Sequence, residues 1–280
     1  MNISISGASG FIGRHLMKSL AQAGHSVCAL SRHAPAAESL READAIIHLA
    51  GEPVAQRWTA EAKQRIRESR VAGTRNLMEA LATLTRRPDA LICASAIGYY
   101  GSRGDEILTE SSAPGSGFLP ELCVAWEREA QAAEALGMRV VRVRTGLVLD
   151  ARGGALPRML PPFRMGVGGR LGSGQQWMSW IHLEDLAALF QFAVESQIRG
   201  PLNGVAPYPV TNSDFTRELA RALRRPAVFP VPGFALRLLF GEMADVLLAS
   251  QRVAPGAAQA AGFRFRFPQL APALEGLLGR

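Results

Sequence analysis

Residues 3–13 read ISISGASGFIG. The first five alternate apolar and polar positions and end in glycine, which is the pattern of a short strand. From Phe11 the period changes. Ile12, Leu16, Leu20 and Ala23 fall on one helical face, and Gly24 stops the helix. Gly7, Gly10 and Gly13 stand between the two, spaced GxxGxxG. Gly7 allows the tight turn, Gly10 lets backbone approach a pyrophosphate, and Gly13 lets the helix pack on the strand. The helix N-terminus then turns free N–H groups and a positive dipole end toward the phosphates. The spacing means little alone. Between a first strand and a first helix it predicts a dinucleotide site.

The pattern repeats outward from this loop. HSVCALSR (25–32) and AIIHLAG (45–51) read as strands, and residues 59–84 as one long helix. ALICASA (90–96) is a strand, GFLPELCVAWEREAQAAEAL (117–136) a helix and MRVVRVRTGLVL (138–149) a strand. Strands alternating with helices predict a parallel sheet covered on both faces. After residue 150 the texture changes. Gly and Pro crowd 153–174 and later elements are short, although 183–196 reads as a helix and PLNGVAP (201–207) as a strand able to rejoin the sheet. VFPVP (228–232) is a Pro-broken extended link. The expected fold class is α/β, a Rossmann-type doubly wound parallel sheet with a smaller C-terminal α+β substrate domain. The expected division is 1–150 with the returning 183–207 for the nucleotide domain, and 151–182 with 208–280 for the smaller one.

The 280 residues are 48% hydrophobic, enough for a proper core. No apolar run approaches the roughly 20 residues of a membrane span. The N-terminus starts directly in a strand pattern, so no signal peptide and a cytoplasmic location are expected. Cys28, Cys93 and Cys123 form no CxxC pair. Buried free thiols are expected rather than disulfides or a zinc site, with a reactive thiol at Cys123 a minor alternative. The net charge is +7, and nearly all of the basic charge is Arg, since Lys18 and Lys63 are the only lysines. The arginines are scattered along the chain. That fits a solvated surface and an anionic cofactor better than nucleic acid.

A cofactor with a free 2′-hydroxyl calls for Asp or Glu roughly 20 residues beyond the glycines. Ser31 and Arg32 stand there instead. A guanidinium matches a 2′-phosphate, so NADP(H) is expected over NAD(H). Only HAPAAESLREAD (33–44) separates Arg32 from the next strand. That is too short for a crossover helix followed by a strand. The usual third strand is therefore expected to be missing, leaving the 26–31 strand at the sheet edge.

The glycine loop, HLAGEP (48–53), ASAIGYYG (94–101) and GSGQQWMSWIHLEDLA (172–187) together resemble an extended short-chain dehydrogenase/reductase. More closely, the chain resembles the epimerase-family subgroup labelled SulA-like or nucleoside-diphosphate-sugar epimerase, whose marks run in order to GFRFRFP (262–268). The subgroup carries a C-terminal piece of unknown function, here roughly 231–278, and no settled substrate. The resemblance implies that Gly7, Ser9, Gly10, Phe11, Ile12 and Gly13 cradle the pyrophosphate. It implies that Ser31 and Arg32 hold the adenosine 2′ end and that Leu49, Ala50 and Gly51 border the ribose. Ser95 would be the active-site serine, and Thr145, Gly146 and Val148 would flank the nicotinamide. His182 and Asp185 fall on a family motif near the domain junction.

Extended members use a Tyr and a Lys four apart on the helix after the serine strand. Here those positions fall on Leu122 and Trp126, or on Cys123 and Glu127, and neither choice gives the pair. The supporting Asn position falls on Arg70 or Ser69; Arg70 joins the cofactor set. Tyr99, Tyr100 and Glu121 are the remaining candidates for proton transfer beside Ser95. Arg57 and Trp58, with Arg70, suit an anionic substrate. Trp177 and His182 end the Gly/Pro-rich 153–180 segment, which is expected to line the substrate cleft opposite Ser95 and Tyr99. The 118–130 helix is expected to be a packing wall, with Trp126 near the ribose or under the Tyr99–Tyr100 loop. Two functions follow: an NADP(H)-dependent oxidoreductase or epimerase with a non-standard acid–base set, or a regulatory or redox-sensing protein that binds NADP(H) without turnover. The expected partner is an unknown small-molecule substrate, with no nucleic acid and no membrane, and the chain is compatible with a homodimer.

Overall fold

The computed structural model describes residues 1–31 and 40–279. Arg32 and most of the 33–44 segment, on which two expectations rest, lie outside the described residues. The first half runs β1 (Asn2–Ser6), α1 (Phe11–Gln22), β2 (Ser26–Leu30), β3 (Ala45–His48), α2 (Ala60–Ala82), β4 (Ala90–Ala96), β5 (Ile107–Leu108), α3 (Phe118–Gln131) and β6 (Arg139–Thr145). Then follow β7 (Leu147–Asp150), β8 (Gly153–Gly154), α4 (Leu156–Arg164), β9 (Trp177–Met178), β10 (Trp180–His182), α5 (Leu183–Glu195) and β11 (Gly200–Gly204). The C-terminal elements are β12 (Val210–Thr211), α6 (Asn212–Leu223), α7 (Gly233–Phe240), α8 (Ala244–Leu248), β13 (Arg252–Val253), α9 (Gly256–Ala260) and α10 (Leu270–Leu278).

Six strands form one sheet in the order β11-β6-β4-β3-β1-β2, and each pairing in it is parallel. Chain order reverses between β1 and β3, so the C-terminal ends of those two strands open a crevice where α/β sheets bind ligands. Among the described residues β2 is the sheet edge and pairs with β1 alone. Its exposed residues include Cys28, which corrects the expectation of a buried thiol there. The central strands are buried on both faces, and helices cover each side. One core joins α1 and α5 to the sheet through Leu16, Leu20, Leu186 and Phe190. The other joins α2 and α3 through Leu77, Leu81, Trp126 and Ala130.

The strand expected at 138–149 is two strands. β6 stays in the main sheet, whereas β7 pairs with β10 and β8. The break is at Gly146. Its N–H donates to Gly204 O at 3.1 Å, and a Cβ there would stand 2.6 Å from Ser179 O and 2.8 Å from Val205 Cγ1. Only glycine allows that approach, so the chain leaves one sheet for the next at this point. Two carboxylates tie the C-terminal segment to the sheet. Asp185 accepts the N–H groups of Arg266 and Phe267 at 2.8 and 2.9 Å. Glu110 Oε1 accepts those of Asn203 and Ala257 at 3.0 and 3.1 Å. No helix among the described residues is long and apolar enough to cross a membrane.

The helix–strand contact under the glycine loop has a measurable consequence. A Cβ at Gly13 would lie 2.3 Å from Gly7 O and 2.7 Å from Ala8 Cα, both immovable backbone. Gly13→Ala is expected to destabilise the protein by about 1–3 kcal/mol in urea unfolding. Gly276, inside α10, meets nothing within 4 Å. Gly276→Ala is expected to stabilise by about 0.5–1 kcal/mol. Equal effects at the two positions would refute the packing argument.

Candidate active site

Gly7 has φ +74, and a Cβ there would lie 2.9 Å from both Ala50 N and Leu49 C. The loop thus presses on the Leu49–Ala50 backbone at the end of β3. Gly10 is the N-cap of α1, with no side-chain cap and no acidic residue in the first turn. Its own N–H turns back to Gly7 O at 2.9 Å. The following N–H groups therefore face the crevice without an internal acceptor. Ser9 is exposed, and Ile12 is half-buried against the core. Phe11 is seated on β8. A Cβ at Gly153 would lie 2.3 Å from its ring, and one at Gly154 2.8 Å. Ser31 follows β2 directly and is exposed.

Arg70 continues the wall. Its guanidinium lies against the Gly51 backbone, where a Cβ would be 3.0 Å from Cζ. Nη1 donates to Glu52 O at 2.9 Å, and the group stacks 5.1 Å from the Trp126 ring. Trp126 is thus buried between Arg70 and the α2–α3 core. Below the loop, His48 Nδ1 lies 2.6 Å from Ser6 Oγ and Nε2 lies 3.0 Å from Thr74 Oγ1. This pair of bonds joins β1, β3 and α2 beneath the crevice.

A second constellation surrounds Ser95, near the end of β4. Ser95 Oγ donates to Glu127 Oε1 at 2.7 Å. Glu127 projects from the sheet-facing side of α3 and is buried. Arg144 holds both its oxygens, Nε to Oε1 at 2.8 Å and Nη2 to Oε2 at 2.9 Å. Arg144 Nη1 donates to Tyr100 OH at 3.0 Å, and that hydroxyl donates to Asn203 Oδ1 at 2.7 Å. The Tyr99 ring lies 3.5 Å from the same guanidinium. Burial opposes the charge on Arg144, but the hydrogen bonds and charge of Glu127 outweigh it and raise its pKa. Burial also pushes the Tyr100 phenol up, against the pull of Arg144. Cys123 is buried, and burial beside Glu127 pushes its thiol up to about 12, which argues against the reactive-thiol alternative.

The other expected site residues are more dispersed. Glu121 lies on the exposed face of α3. Thr145, Gly146 and Val148 follow Arg144 at the β6–β7 break. Trp58 packs edge-on against Phe118 at 5.0 Å, and Arg57 lies beside Gly241. Trp177 donates to Asp105 Oδ1 at 2.7 Å and lies 4.4 Å from the Arg252 guanidinium. Its segment reaches the Tyr99 turn through Gln251, whose Nε2 donates to Ile97 O and Gly101 O at 2.8 and 3.0 Å. His182 is buried. Its Nδ1 accepts the Glu184 N–H at 3.1 Å, and its ring stacks on Phe267 at 3.9 Å, which makes it a helix cap at this junction. Burial lowers its pKa.

Glu127 and Arg144 are the polar groups that sequence reasoning passed over. The signal was present. RVVRVRT interleaves arginines with the core valines Val140, Val141 and Val143, and a buried charge requires a partner. Glu127 is the one carboxylate on the apolar face of FLPELCVAWEREA.

Burial of His48 sets an acid limit on this region. Its pKa falls from 6.5 to about 4. Above pH 6.5 the ring is neutral folded and unfolded, and its contribution is fully present. As pH falls toward 4 the unfolded chain takes a proton that the folded one refuses, and stability falls by about 3 kcal/mol. His48→Gln is expected to flatten this part of the stability–pH curve relative to wild type. Parallel curves for the two proteins would refute the assignment.

The comparisons with known proteins follow the same geometry. The model of the NAD dependent epimerase/dehydratase family matches residues 3–205, and that of a domain of unknown function (DUF1731) matches 231–277. The chain is 42% identical to epimerase family protein Mb2239 of Mycobacterium bovis, over 97% of this chain and 96% of that one. It is 39% identical to epimerase family protein YfhF of Bacillus subtilis, over 99% and 98%. The crystal structure of human epimerase family protein SDR39U1, solved with NADPH, superposes with a TM-score of 0.92 at 34% identity, covering 99% of each chain. A nucleoside-diphosphate sugar epimerase from Corynebacterium glutamicum matches with a TM-score of 0.83 at 38% identity, over all of this chain and 58% of that one. A family model spanning the whole parallel sheet, with relatives matched end to end, establishes that this chain belongs to the NAD dependent epimerase/dehydratase family.

Proposed function

We propose that the protein binds NADP(H) in the crevice above β1 and β3 and acts as an oxidoreductase or epimerase on a small-molecule substrate, with Ser95, Glu127 and Tyr99 in place of the usual Tyr–Lys pair. The observation that carries this reading is the Ser95–Glu127–Arg144 network standing at the end of β4, beside the glycine cradle. The cradle fits the cofactor. Its glycines leave backbone where side chains would fill the space, and α1 presents uncapped N–H groups. Gly7, Ser9, Gly10, Phe11, Ile12 and Gly13 would hold the pyrophosphate, Leu49, Ala50, Gly51 and Arg70 the ribose wall, and Thr145, Gly146 and Val148 the redox end. NADP(H) would supply the hydride, which no side chain here can.

The chain's own residues would handle the proton. Ser95 donates its hydrogen to Glu127, and its oxygen has two lone pairs, one of which could accept from a substrate hydroxyl. A proton could then pass from that hydroxyl to Ser95 and on to Glu127. Arg144 grips both carboxylate oxygens, so Glu127 already spends acceptor capacity on the ion pair. Tyr99 is the half-buried phenol of the group and makes no side-chain hydrogen bond among the described residues. Tyr100 is committed to Asn203 and Arg144, so it positions the network. The grip of Arg144 also supports the second reading, a sensor that binds NADP(H) without turnover.

Calorimetric titration tests the cofactor. NADPH is expected to bind at least about tenfold tighter than NADH, roughly 1.4 kcal/mol, through pairing of Arg32 with the 2′-phosphate. Equal affinities, or a preference that survives Arg32→Asp, would defeat this. Single-turnover absorbance at the NADPH band tests the chemistry. Loss of the Tyr–Lys relay should slow generic carbonyl and sugar-nucleotide substrates by about 10²–10⁴ relative to ordinary members. Rapid, Ser95-dependent epimerisation of a common sugar nucleotide would sink the acid–base assignment.

A further inference from the structure

The arginines are scattered along the chain, but the carboxylates are not. Residues 151–182 and 219–241 contain eight of the 31 basic residues and none of the 24 acidic ones, so the rest of the chain carries 23 against 24. By formal count the excess positive charge falls in these two segments, although Arg152, Arg221 and Arg237 pair with Asp150, Glu218 and Asp245 just outside them. They are also neighbours in space. Phe229 N–H donates to Gly168 O at 3.4 Å, Val231 N–H to Arg170 O at 2.8 Å and Gly172 N–H to Val231 O at 2.9 Å.

The same two segments carry most of the large apolar side chains that the fold leaves outside. Phe234 is 75% exposed, Leu238 77%, Leu239 64% and Phe229 56%, with Met165 at 70%. In α7 only Leu236 turns inward; Phe234, Leu238 and Leu239 stand out from it. Arg158, Arg164, Arg170, Arg224 and Arg225 are exposed and have no carboxylate partner among the described residues, whereas Arg237 pairs with Asp245 at 3.3 Å. A cavity of about 280 Å³ opens on this face. Its lining includes Arg170, Arg217, Ser213 and Thr216 together with Ala227 and Val228. Arg217 also pairs with Asp214 at 2.7 Å.

We infer that this face, formed by α7, the 226–231 link and the 164–172 loop, docks on the surface of an anionic phospholipid bilayer. Phe229, Phe234, Leu238 and Leu239 enter the boundary between headgroups and acyl chains, while the surrounding arginines meet the lipid phosphates. The cavity has the size and the donors for one phosphodiester headgroup, with apolar walls toward the chains. This contact lies in the plane of the membrane and needs no spanning helix. A second copy of the chain is a poorer occupant, because a two-fold contact would press like charges together. A nucleic acid is poorer as well, because exposed leucines on a convex helix offer it neither stacking nor hydrogen bonds.

Sedimentation of the full chain with vesicles tests the proposal. Binding is expected to vesicles of phosphatidylcholine mixed with phosphatidylglycerol, and to be at least about tenfold weaker to phosphatidylcholine alone. Leu238→Ser combined with Leu239→Ser should weaken binding to the mixed vesicles at least about tenfold. Both side chains are exposed, so circular dichroism and NADPH affinity should not change. Arg224→Glu combined with Arg225→Glu should weaken binding to a similar degree. No binding to the mixed vesicles would overturn the proposal. So would binding that depends on the arginines but not on the leucines, which would point to a polyanion such as nucleic acid. Self-association abolished by the leucine changes, without vesicle binding, would assign the face to a second copy instead.

Discussion

The buried ion pair between Glu127 and Arg144 is the interaction on which the centre of this protein depends. It joins α3 to β6, and through them it fixes Ser95, Tyr99, Tyr100 and Asn203. A charge taken out of water costs several kcal/mol unless every oxygen and nitrogen finds a partner. Here both carboxylate oxygens and three guanidinium nitrogens are matched, two of them in a fork-to-fork pair. Removing either member would leave the other buried and alone, at a cost of about 3–5 kcal/mol. Ser95 is therefore held by a network in which the charges are matched.

That rigidity distinguishes the site from the Tyr–Lys arrangement. A Lys beside a Tyr leaves the phenol free to give or take a proton while its charge favours the phenolate. Here the cation faces a carboxylate instead, and one of the two nearby phenols is spent on Asn203. Leu122, Cys123 and Trp126 fill the helix face around Glu127 and are all buried. The helix is a packing wall, as its apolar spacing predicts, with a single charged residue set into it.

The C-terminal segment is held to the sheet by few but specific contacts. Asp185 accepts two backbone N–H groups from it, those of Arg266 and Phe267, and Glu110 bridges the N–H of Asn203 in β11 and that of Ala257 in the segment. Asp185 is buried, and desolvation raises its pKa even though those N–H groups favour the charged form. Asn203 adds a bond from its side-chain amide to Ala254 O at 2.8 Å. Because Asn203 also receives the Tyr100 hydroxyl, the C-terminal segment and the Ser95 network share one residue. The outward face of the segment has no such contacts, and there its leucines and arginines meet solvent.

The parallel sheet and the glycine cradle are legible in the chain alone. They follow from local rules: period two or 3.6 along the chain, and glycine where a Cβ cannot fit. Ser95 was singled out by the family resemblance, and the strand pattern of 90–96 places it near the end of β4. Tertiary structure alone decided what Ser95 touches. Glu127 and Arg144 are 17 residues apart on a helix and a strand, and their 2.8 Å bond depends on how α3 lies across β6. It likewise split the 138–149 run at Gly146, where the obstacle is Ser179 O, a group from a distant part of the chain. It left Glu121 on the solvent side of the helix, off the buried face that carries Glu127. Spacing along a chain fixes which residues share a face; only packing fixes what that face meets.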